Sequence, residues 1–336
     1  MAVANASMVR TGSIISRIAA GAGLAVTGIG FVAIKSAANF QQSMNILQAV
    51  SGATTNQMNA MRTEAIGLGK DFNLPNVSAK DAAEAMVQLS KAGLSTKDVL
   101  GSTRGVLQLG LAANLGFADS ADIVARSLKM FNLSGDQSSK IANLLAAGAN
   151  ASTASIGDLA LGLQNAGGQF ASAHQPIETL VTALTELTDR GLSGELAGTA
   201  LKTMMIRLES PTKKAAGVMK ELGVSIYDSH KNVLPLRDII GQFQVGLKGA
   251  SDETKNMALN TIFGTRANQA MFKLLDAGVL GYDNYQKRIV GTNAAQKMAE
   301  AQTKGLNGAV GALGSAFETL AIEIGTPFLG ALEGVV

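Results

Sequence analysis

The sequence has no cysteine and no tryptophan, and only 4% of its 336 residues are aromatic. Without cysteine the chain cannot form disulfides, thiolate metal sites or a cysteine nucleophile. Its two histidines, His174 and His230, are too few for most histidine-based metal sites. The net charge of +3 is small, and the Lys and Arg residues lack interleaved aromatic residues for stacking on bases. We therefore expect no metal site, no cofactor and no specific recognition of a nucleic-acid sequence.

The first acidic residue of the chain is Glu64, and no Asp or Glu precedes it. The charged residues before it are all basic: Arg10, Arg17, Lys35 and Arg62. Residues 18–34 form an uncharged run rich in Ala, Gly, Val and Ile. The length of this run lies at the short end of the roughly 17–25 residues that span a bilayer.

We predict that residues 14–34 are the membrane-active part of the chain, because the flanking basic side chains can reach anionic head groups. The candidate membrane-contacting residues are Arg17, Leu24, Ile29, Phe31, Ile34 and Lys35. A buried helix in a bundle is an open alternative. A signal peptide is a third, since residues 36–38 resemble a cleavage site, although Lys35 fits badly in front of them.

The apolar residues, which make up 47% of the chain, indicate helices. Most are Ala, Leu, Ile, Val and Met, and within 82–89 they recur at the spacing of one helix face. A serine followed three residues later by an aspartate predicts helix starts at Ser78, Ser95 and Ser155. We predict an all-α fold, in which short capped helices form a helical core between longer apolar helices at both ends. At most one small β-hairpin is expected, near 224–234.

The predicted helices cover about residues 13–50, 56–68, 79–92, 96–113, 119–131, 136–149, 156–172, 177–190, 194–209, 212–222, 236–248, 252–262, 266–276, 281–290 and 294–324. Gly325–Pro327 is predicted to break the last of them. This pattern divides the chain into a cationic apolar N-terminal helix (1–52), a core helical domain (53–292) and a C-terminal apolar helix (293–336) that leads to a truncation.

The segment 191–201 predicts a tight turn between two helices. Gly191 is expected to cap the first helix, and Ser193 to begin the second. Gly198 and Ala200 are expected to let neighbouring helices approach closely. The alternative for Gly198 is that it only tolerates a bend.

A search for catalytic groups leaves one set of carboxyls, because Glu178, Glu186 and Asp189 share a predicted helix. A glycosidase needs a pair of carboxyls, one of them buried with a raised pKa beside a sugar cleft. A solvated helix face explains these three residues more simply, and we expect that arrangement. The sequence therefore predicts no catalytic residue and a protein that is not an enzyme.

Several segments resemble, in family order, the conserved core of bacteriophage tail tape measure proteins over about residues 38–330. Residues 82–93 are similar to a family stretch of the type A-E-A-M-x-x-L-x-K-A-G, and residues 189–208 carry the most telling similarity. The other similar segments are 38–54, 121–133, 222–224 and 262–266. Because family members are commonly much longer, this chain is expected to be a fragment, a split gene product or a small member.

The resemblance implies a structural role in the virion. Tape measure proteins lie in the lumen of the tail tube, set its length during assembly in the host cytoplasm, and assist genome delivery across the host membrane. The implied partners are the tail tube protein, tail assembly chaperones and baseplate or tail tip proteins, with self-association in the lumen and contact with the host membrane.

Two other functions stay open at this point. The acid-free, cationic N-terminal segment is also typical of a membrane-permeabilising helical effector. The carboxyl of Glu186 leaves a muramidase-like hydrolase as the enzyme alternative.

Overall fold

The fold is that of a computed structural model, which describes residues 29–333. Within this range the backbone forms fourteen α-helices: α1 (Ile29–Ser51), α2 (Thr55–Gly69), α3 (Ala79–Lys91), α4 (Thr96–Ala113), α5 (Phe117–Met130), α6 (Ser138–Ala151), α7 (Ile156–Ser172), α8 (Ile177–Asp189), α9 (Gly194–Glu209), α10 (Lys213–Glu221), α11 (Leu236–Gly246), α12 (Asp252–Ile289), α13 (Ala294–Gln302) and α14 (Leu306–Glu333). A short 3₁₀ helix, Gly135–Gln137, precedes α6. The β pairing in this range is one antiparallel bridge between Tyr227 and Val233. The predicted all-α fold is confirmed, and the hairpin expected near 224–234 is reduced to this bridge.

Helices begin at the predicted serine–aspartate pairs. The Ser155 hydroxyl accepts a hydrogen bond from the backbone N–H of Asp158 at 3.0 Å, and the Asp158 carboxylate accepts one from the N–H of Ser155 at 3.1 Å. The pair Ser78 and Asp81 makes the same two bonds. Each pair satisfies two backbone donors that the first helical turn leaves without a partner. The predicted starts of α3 and α7 are confirmed.

Two predictions near the C-terminus are wrong. The predicted helix 294–324 is interrupted, because Gly305 has a φ of 95° and separates α13 from α14. The predicted break at Gly325–Pro327 is absent, since α14 continues through Pro327. The reason is tertiary packing: the backbone of Gly325 lies directly against the carbonyl of Ala33 in α1. This contact keeps α14 helical across a proline that ends many isolated helices.

Residues 29–87 and 303–333 belong to one compact unit, called the first unit below. In it, α14 packs along α1 and also contacts α2. The side chains of Phe40, Met44 and Leu47 on α1 are buried. Thr319 of α14 donates to the carbonyl of Gly69 at 3.3 Å and accepts from the N–H of Ala79 at 3.2 Å. This hydroxyl satisfies a carbonyl at the end of α2 and an N–H at the start of α3, both buried.

Residues 88–302 form the second unit. Within it, α4 packs on α6, α7 packs on α9, and α12 packs on both α8 and α9. The helical stretch α12 is broken twice, at Gly264 (φ 69°) and Gly278 (φ 63°). These breaks divide it close to the three helices predicted over 252–290.

One turn occurs three times in the second unit, each time joining a helix to the next helical segment. A leucine N–H donates to the carbonyl of a leucine five residues earlier, with N···O distances of 3.2, 2.8 and 3.0 Å for the pairs Leu94–Leu89, Leu133–Leu128 and Leu192–Leu187. The residue before the donating leucine has a positive φ in every case: Gly93, Asn132 and Gly191. A serine follows the leucine and precedes the next helical segment. This hydrogen bond and the left-handed residue define a Schellman motif, which fixes the direction of chain reversal.

Candidate functional site at the turn between α8 and α9

The third of these turns carries the residues that the sequence singled out. α8 ends at Asp189, and Gly191 follows with a φ of 87°, a conformation that L side chains rarely adopt. The Ser193 hydroxyl accepts a hydrogen bond from the N–H of Leu196 at 3.4 Å and so caps α9. Ala200 is buried further along the same helix. The chain therefore reverses between α8 and α9 within four residues, Arg190 to Ser193.

The glycines that follow the turn bring α9 into backbone contact with α7. A Cβ atom added to Gly198 would lie 2.5 Å from the carbonyl oxygen of Gly162 and 2.7 Å from its Cα. One helical turn earlier, a Cβ on Gly194 would overlap the carbonyl of Asp158. Glycines four residues apart lie on one face of a helix, so Gly194 and Gly198 form a single contact surface. No side chain fits between the two backbones at these positions.

A similar contact lies earlier in the second unit. Gly135, next to the middle Schellman turn, would overlap the carbonyl of Asp98 if it carried a Cβ. Its N–H donates to the carboxylate of Asp98 at 2.9 Å. Asp98 and Asp158 are both the third residue of a capped helix. The pairs α4–α6 and α7–α9 are thus built on the same plan, in which a glycine at the start of one helix meets the first turn of another.

Three contacts hold the α8–α9 turn to α12. The Arg190 guanidinium pairs with the Asp276 carboxylate at 2.7 Å. The Lys273 ammonium donates to the backbone carbonyl of Arg190 at 2.7 Å, and the Tyr285 hydroxyl donates to the Asp189 carboxylate. These bonds satisfy a carbonyl and charges at the C-terminus of α8, where cations are favoured.

Glu186, one turn before this end of α8, is fully buried. Its Oε1 lies 3.6 Å from Nε of Arg190, too far for a hydrogen bond, and neither carboxyl oxygen has a hydrogen-bond partner among the described residues. Burial raises the pKa of this carboxyl to about 8, and the Arg190 charge opposes only part of the rise. The carboxyl therefore carries a proton at neutral pH, because the charged form would be poorly solvated inside the core.

The expectation that Glu186 lies on a solvated helix face is wrong. The reason is that α8 is buried on nearly all sides, from Thr179 to Thr188. Its threonines made the helix look half-polar in sequence, but Thr182 and Thr185 donate to carbonyls of their own helix at 2.7 Å. A threonine whose hydroxyl is hydrogen-bonded within its own helix can be buried. The abundance of Thr and Leu in this segment was therefore a sequence signal that α8 is buried.

The surroundings of Glu186 do not form a substrate cleft. Two open depressions on the second unit have volumes of about 520 and 260 Å³, and Glu186 lines neither of them. The larger one is bordered by Arg237, whose guanidinium is already paired with both carboxylate oxygens of Asp283 at 2.7 and 2.8 Å. The raised pKa of Glu186 therefore belongs to a closed core position, where a substrate has no access.

The candidate membrane-contacting residues lie mostly outside the described part of the chain. Arg17 and Leu24 fall within residues 1–28, and the side chains of Ile29 and Phe31 are also not described. Further along α1, Ile34 is half-buried and Lys35 is exposed. No helix within residues 29–333 is long and apolar enough to cross a membrane. The membrane contact and the long apolar helices expected at both ends stay predictions.

Comparison with known proteins gives consistent similarities. The model of the family described as "Phage-related minor tail protein" matches residues 62–264. The chain is 31% identical over 344 residues to the tape measure protein of Pneumococcus phage Dp-1, covering 100% of this chain and 30% of that protein. It is 30% identical over 276 residues to the probable tape measure protein of Escherichia phage P2, covering 80% of this chain and 34% of that protein. The chain thus spans about a third of the length of these relatives. No solved structure matches it.

We expect Gly198→Ala to lower the free energy of unfolding by about 1–3 kcal/mol, because the new methyl group forces α7 and α9 apart. The matched control is Gly168→Ala on α7, where a Cβ meets nothing within 4 Å. There the same change should be neutral or stabilise by up to about 1 kcal/mol, as alanine favours helix. Urea unfolding followed by circular dichroism measures both. Equal effects of the two substitutions would show that α7 and α9 are not in backbone contact.

We expect Glu186→Gln to reduce the pH dependence of stability. A carboxyl whose pKa is higher in the folded state binds more protons when the protein is folded. Its contribution to the free energy of unfolding is therefore fully present below the unfolded-state pKa of about 4.5, and it is lost as the pH rises to about 8. Within that window the loss is at most about 1.4 kcal/mol per pH unit. The variant should match the parent near pH 5 and exceed it near pH 8. Glu195→Gln, at an exposed position in the first turn of α9, is the control.

The measurement is the free energy of unfolding in urea at several pH values between these limits. If parent and Glu186→Gln chains run parallel across the whole window, the carboxyl is ionised in the folded protein and the assignment of its raised pKa is wrong.

Proposed function

This chain belongs to the phage tail tape measure proteins, and we propose that it sets the length of the tail tube, fills its lumen and assists genome delivery. It is a structural protein of the phage tail. The observation that carries the proposal is the alignment of the full chain with a protein named for this role. The partners that we propose are the tail tube protein, tail assembly chaperones and baseplate or tail tip proteins.

The helical backbone supports the ruler role. An α-helix rises about 1.5 Å per residue, so the length of an extended helical chain is proportional to its number of residues. If all 336 residues were one helix, the chain would span roughly 500 Å, which is an upper limit. The compact units described above are shorter, because their helices reverse at Schellman turns. We propose that part of the full protein extends in the lumen, and that the Schellman turns are the points where the chain opens.

The second unit has features that favour such opening. Two of its helices, α7 and α9, meet at Gly162 and Gly198, and a contact between such small residues buries little apolar area. The Glu186 carboxyl lies in the core of the second unit without a hydrogen-bond partner, and this lowers the stability of the folded form. In an opened chain the carboxyl would bind water instead. A buried group that is better solvated in an open chain lowers the free energy needed to open the fold, as the proposed change between a compact and an extended form requires.

We propose that residues 1–52 contact the host membrane during genome delivery, with the long apolar helices at both ends taking part. The support is the charge pattern, because no acidic residue before Glu64 opposes attraction to anionic lipid. The same pattern supports the second candidate function, a membrane-permeabilising effector. A basic segment at a lipid surface gains about 1 kcal/mol per Lys or Arg.

We expect tail length to follow the length of this protein. In the phage that encodes it, an insert of about 40 helix-forming residues at the exposed Gly305 should lengthen tails by about 60 Å, at 1.5 Å per residue. A phage with synonymous codons at the same site is the control. Tail lengths are measured by electron microscopy of negatively stained virions, and the protein is detected in the same particles. Particles that contain the longer protein but have tails of parental length would contradict the ruler role.

We expect the basic residues near the N-terminus to govern binding to anionic vesicles. Replacing Arg17 and Lys35 together with Ser should reduce flotation with vesicles that contain phosphatidylserine, and should not affect neutral vesicles. The control replaces Lys97 and Lys202, both exposed, with Ser and makes the same change in net charge. Release of a trapped dye from the same vesicles separates permeabilisation from binding. Equal flotation of the two double variants would place the membrane contact elsewhere in the chain.

A further inference from the structure

The longest of the described helices, α12, is bent at two glycines. Gly264 has a φ of 69° and a ψ of 175°, and Gly278 has a φ of 63° and a ψ of −169°. Backbone with these angles is almost confined to glycine. The two bends therefore share one local geometry, and they divide α12 into a first segment (252–263), a middle segment (265–277) and a last segment (279–289).

The bend at Gly264 is sharp. Across it, the side-chain amide of Asn268 donates to the side-chain oxygen of Asn260 at 2.9 Å. Lys255 of the first segment and Asp276 of the middle segment border the same depression of about 260 Å³. Along a straight helix the first pair would lie about 12 Å apart and the second pair about 32 Å apart, at 1.5 Å per residue. The first segment is therefore turned back toward the middle segment.

The local sequence of α12 does not require either bend. Residues 252–289 contain no proline, and the middle segment consists mostly of Ala, Leu, Gln, Met, Lys and Arg, which favour a helix. Glycine adopts positive and negative φ about equally readily, so rotation about the backbone bonds of one residue converts a bend into continuous helix. The glycines thus determine where α12 can bend, and other contacts determine whether it is bent.

Contacts with α11 hold both bends. The Gln244 side chain lies against Gly278, and its Oε1 accepts a hydrogen bond from the N–H of Val279 at 3.2 Å. In a continuous helix this N–H would bond to the carbonyl four residues earlier, so Gln244 supplies the acceptor that the bend removes. Beside the other bend, the ring of Phe263 packs on that of Phe243, with centroids 5.5 Å apart.

We propose that α12 is a conformational switch, which is bent while α11 holds it and becomes one straight helix when the second unit opens. Ile262 and Phe263 are buried beside the first bend, so the helix cannot straighten while the unit is closed. A straight α12 of 38 residues spans about 57 Å. This inference rests on the proposed change between a compact and an extended form. It is tested on the purified chain, so its failure is distinct from a failure of the ruler role, which tail length tests.

The experiment places a spin label near each end of α12 in the full chain, where the absence of cysteine leaves no competing site. Asn256→Cys and Lys287→Cys change exposed residues of the first and last segments. Along a straight helix these two positions lie about 46 Å apart. In the bent helix the distance is shorter, because the first segment is turned back. Double electron–electron resonance measures the distribution of distances.

The first variant is Gly264→Ala with Gly278→Ala. Alanine is disfavoured at both bends, where φ is positive, and it favours a continuous helix. We expect the main distance to shift from the parental value to about 46 Å, with the helical circular dichroism signal retained. The matched control is Gly168→Ala with Gly217→Ala, at helical positions where a Cβ meets nothing within 4 Å. This control should keep the parental distance.

The second variant, Gln244→Ala with Asn268→Ala, removes two side chains that hold the bends and leaves both glycines in place. We expect a population near 46 Å to appear beside the parental one, because the bent form loses a hydrogen bond at each bend. The matched control is Gln269→Ala with Asn284→Ala, which changes the same residue types at exposed positions of α12. Its distances should equal those of the parent.

The proposal is supported by a narrow distribution near 46 Å in the variants and by parental distances in both controls. It is overturned if the alanine variant keeps the parental distance, since α12 would then stay bent against its own backbone preference. A broad distribution with loss of the helical signal overturns it as well, because α12 would then melt when it leaves α11. Should the alanine variant not fold, the second variant decides by the same criteria.

Discussion

Backbone contact between helices is the constraint on which the second unit depends. Where α9 crosses α7, the Cα of Gly162 and a Cβ on Gly198 would be only 2.7 Å apart, so the crossing admits no side chain at either position. The Schellman turn at Gly191 sets the direction in which α9 leaves α8 and so delivers Gly194 and Gly198 to that crossing. The same combination of a left-handed residue, a leucine and a serine precedes Gly135, whose contact with Asp98 repeats the plan. A chain with few aromatic residues can in this way form a core from closely packed helix backbones.

Close packing has a consequence for the buried carboxyl of Glu186. α8 lies among α7, α9 and α12, and its burial from Thr179 to Thr188 leaves Glu186 no route to water. The threonines on α8 satisfy their hydroxyls within their own helix, but a carboxyl group is too far along its side chain to do so. Arg190, the nearest cation, is drawn toward Asp276 at 2.7 Å and leaves Glu186 at 3.6 Å. The carboxyl is therefore kept neutral, at a cost in stability.

The first unit shows a different use of small residues. On α14 they form part of the inner face, where Thr319 and Gly325 allow close contact with neighbouring backbone, while five large apolar residues between Val310 and Ile324 are exposed and Ile322 is buried.

The sequence by itself determined the helical class, most helix starts and the three-part division of α12. These are local properties: the serine–aspartate caps at Ser78 and Ser155 need only four residues, and a glycine with positive φ ends a helix in any context. The tertiary structure alone decided the burial of Glu186, the continuation of α14 through Pro327 and the meeting of Gly198 with Gly162. Each of these depends on a partner far along the chain, and the free energy of that contact outweighs a local preference of about 1–3 kcal/mol. A periodic pattern shows which face of a helix is apolar, but not which backbone will lie against it.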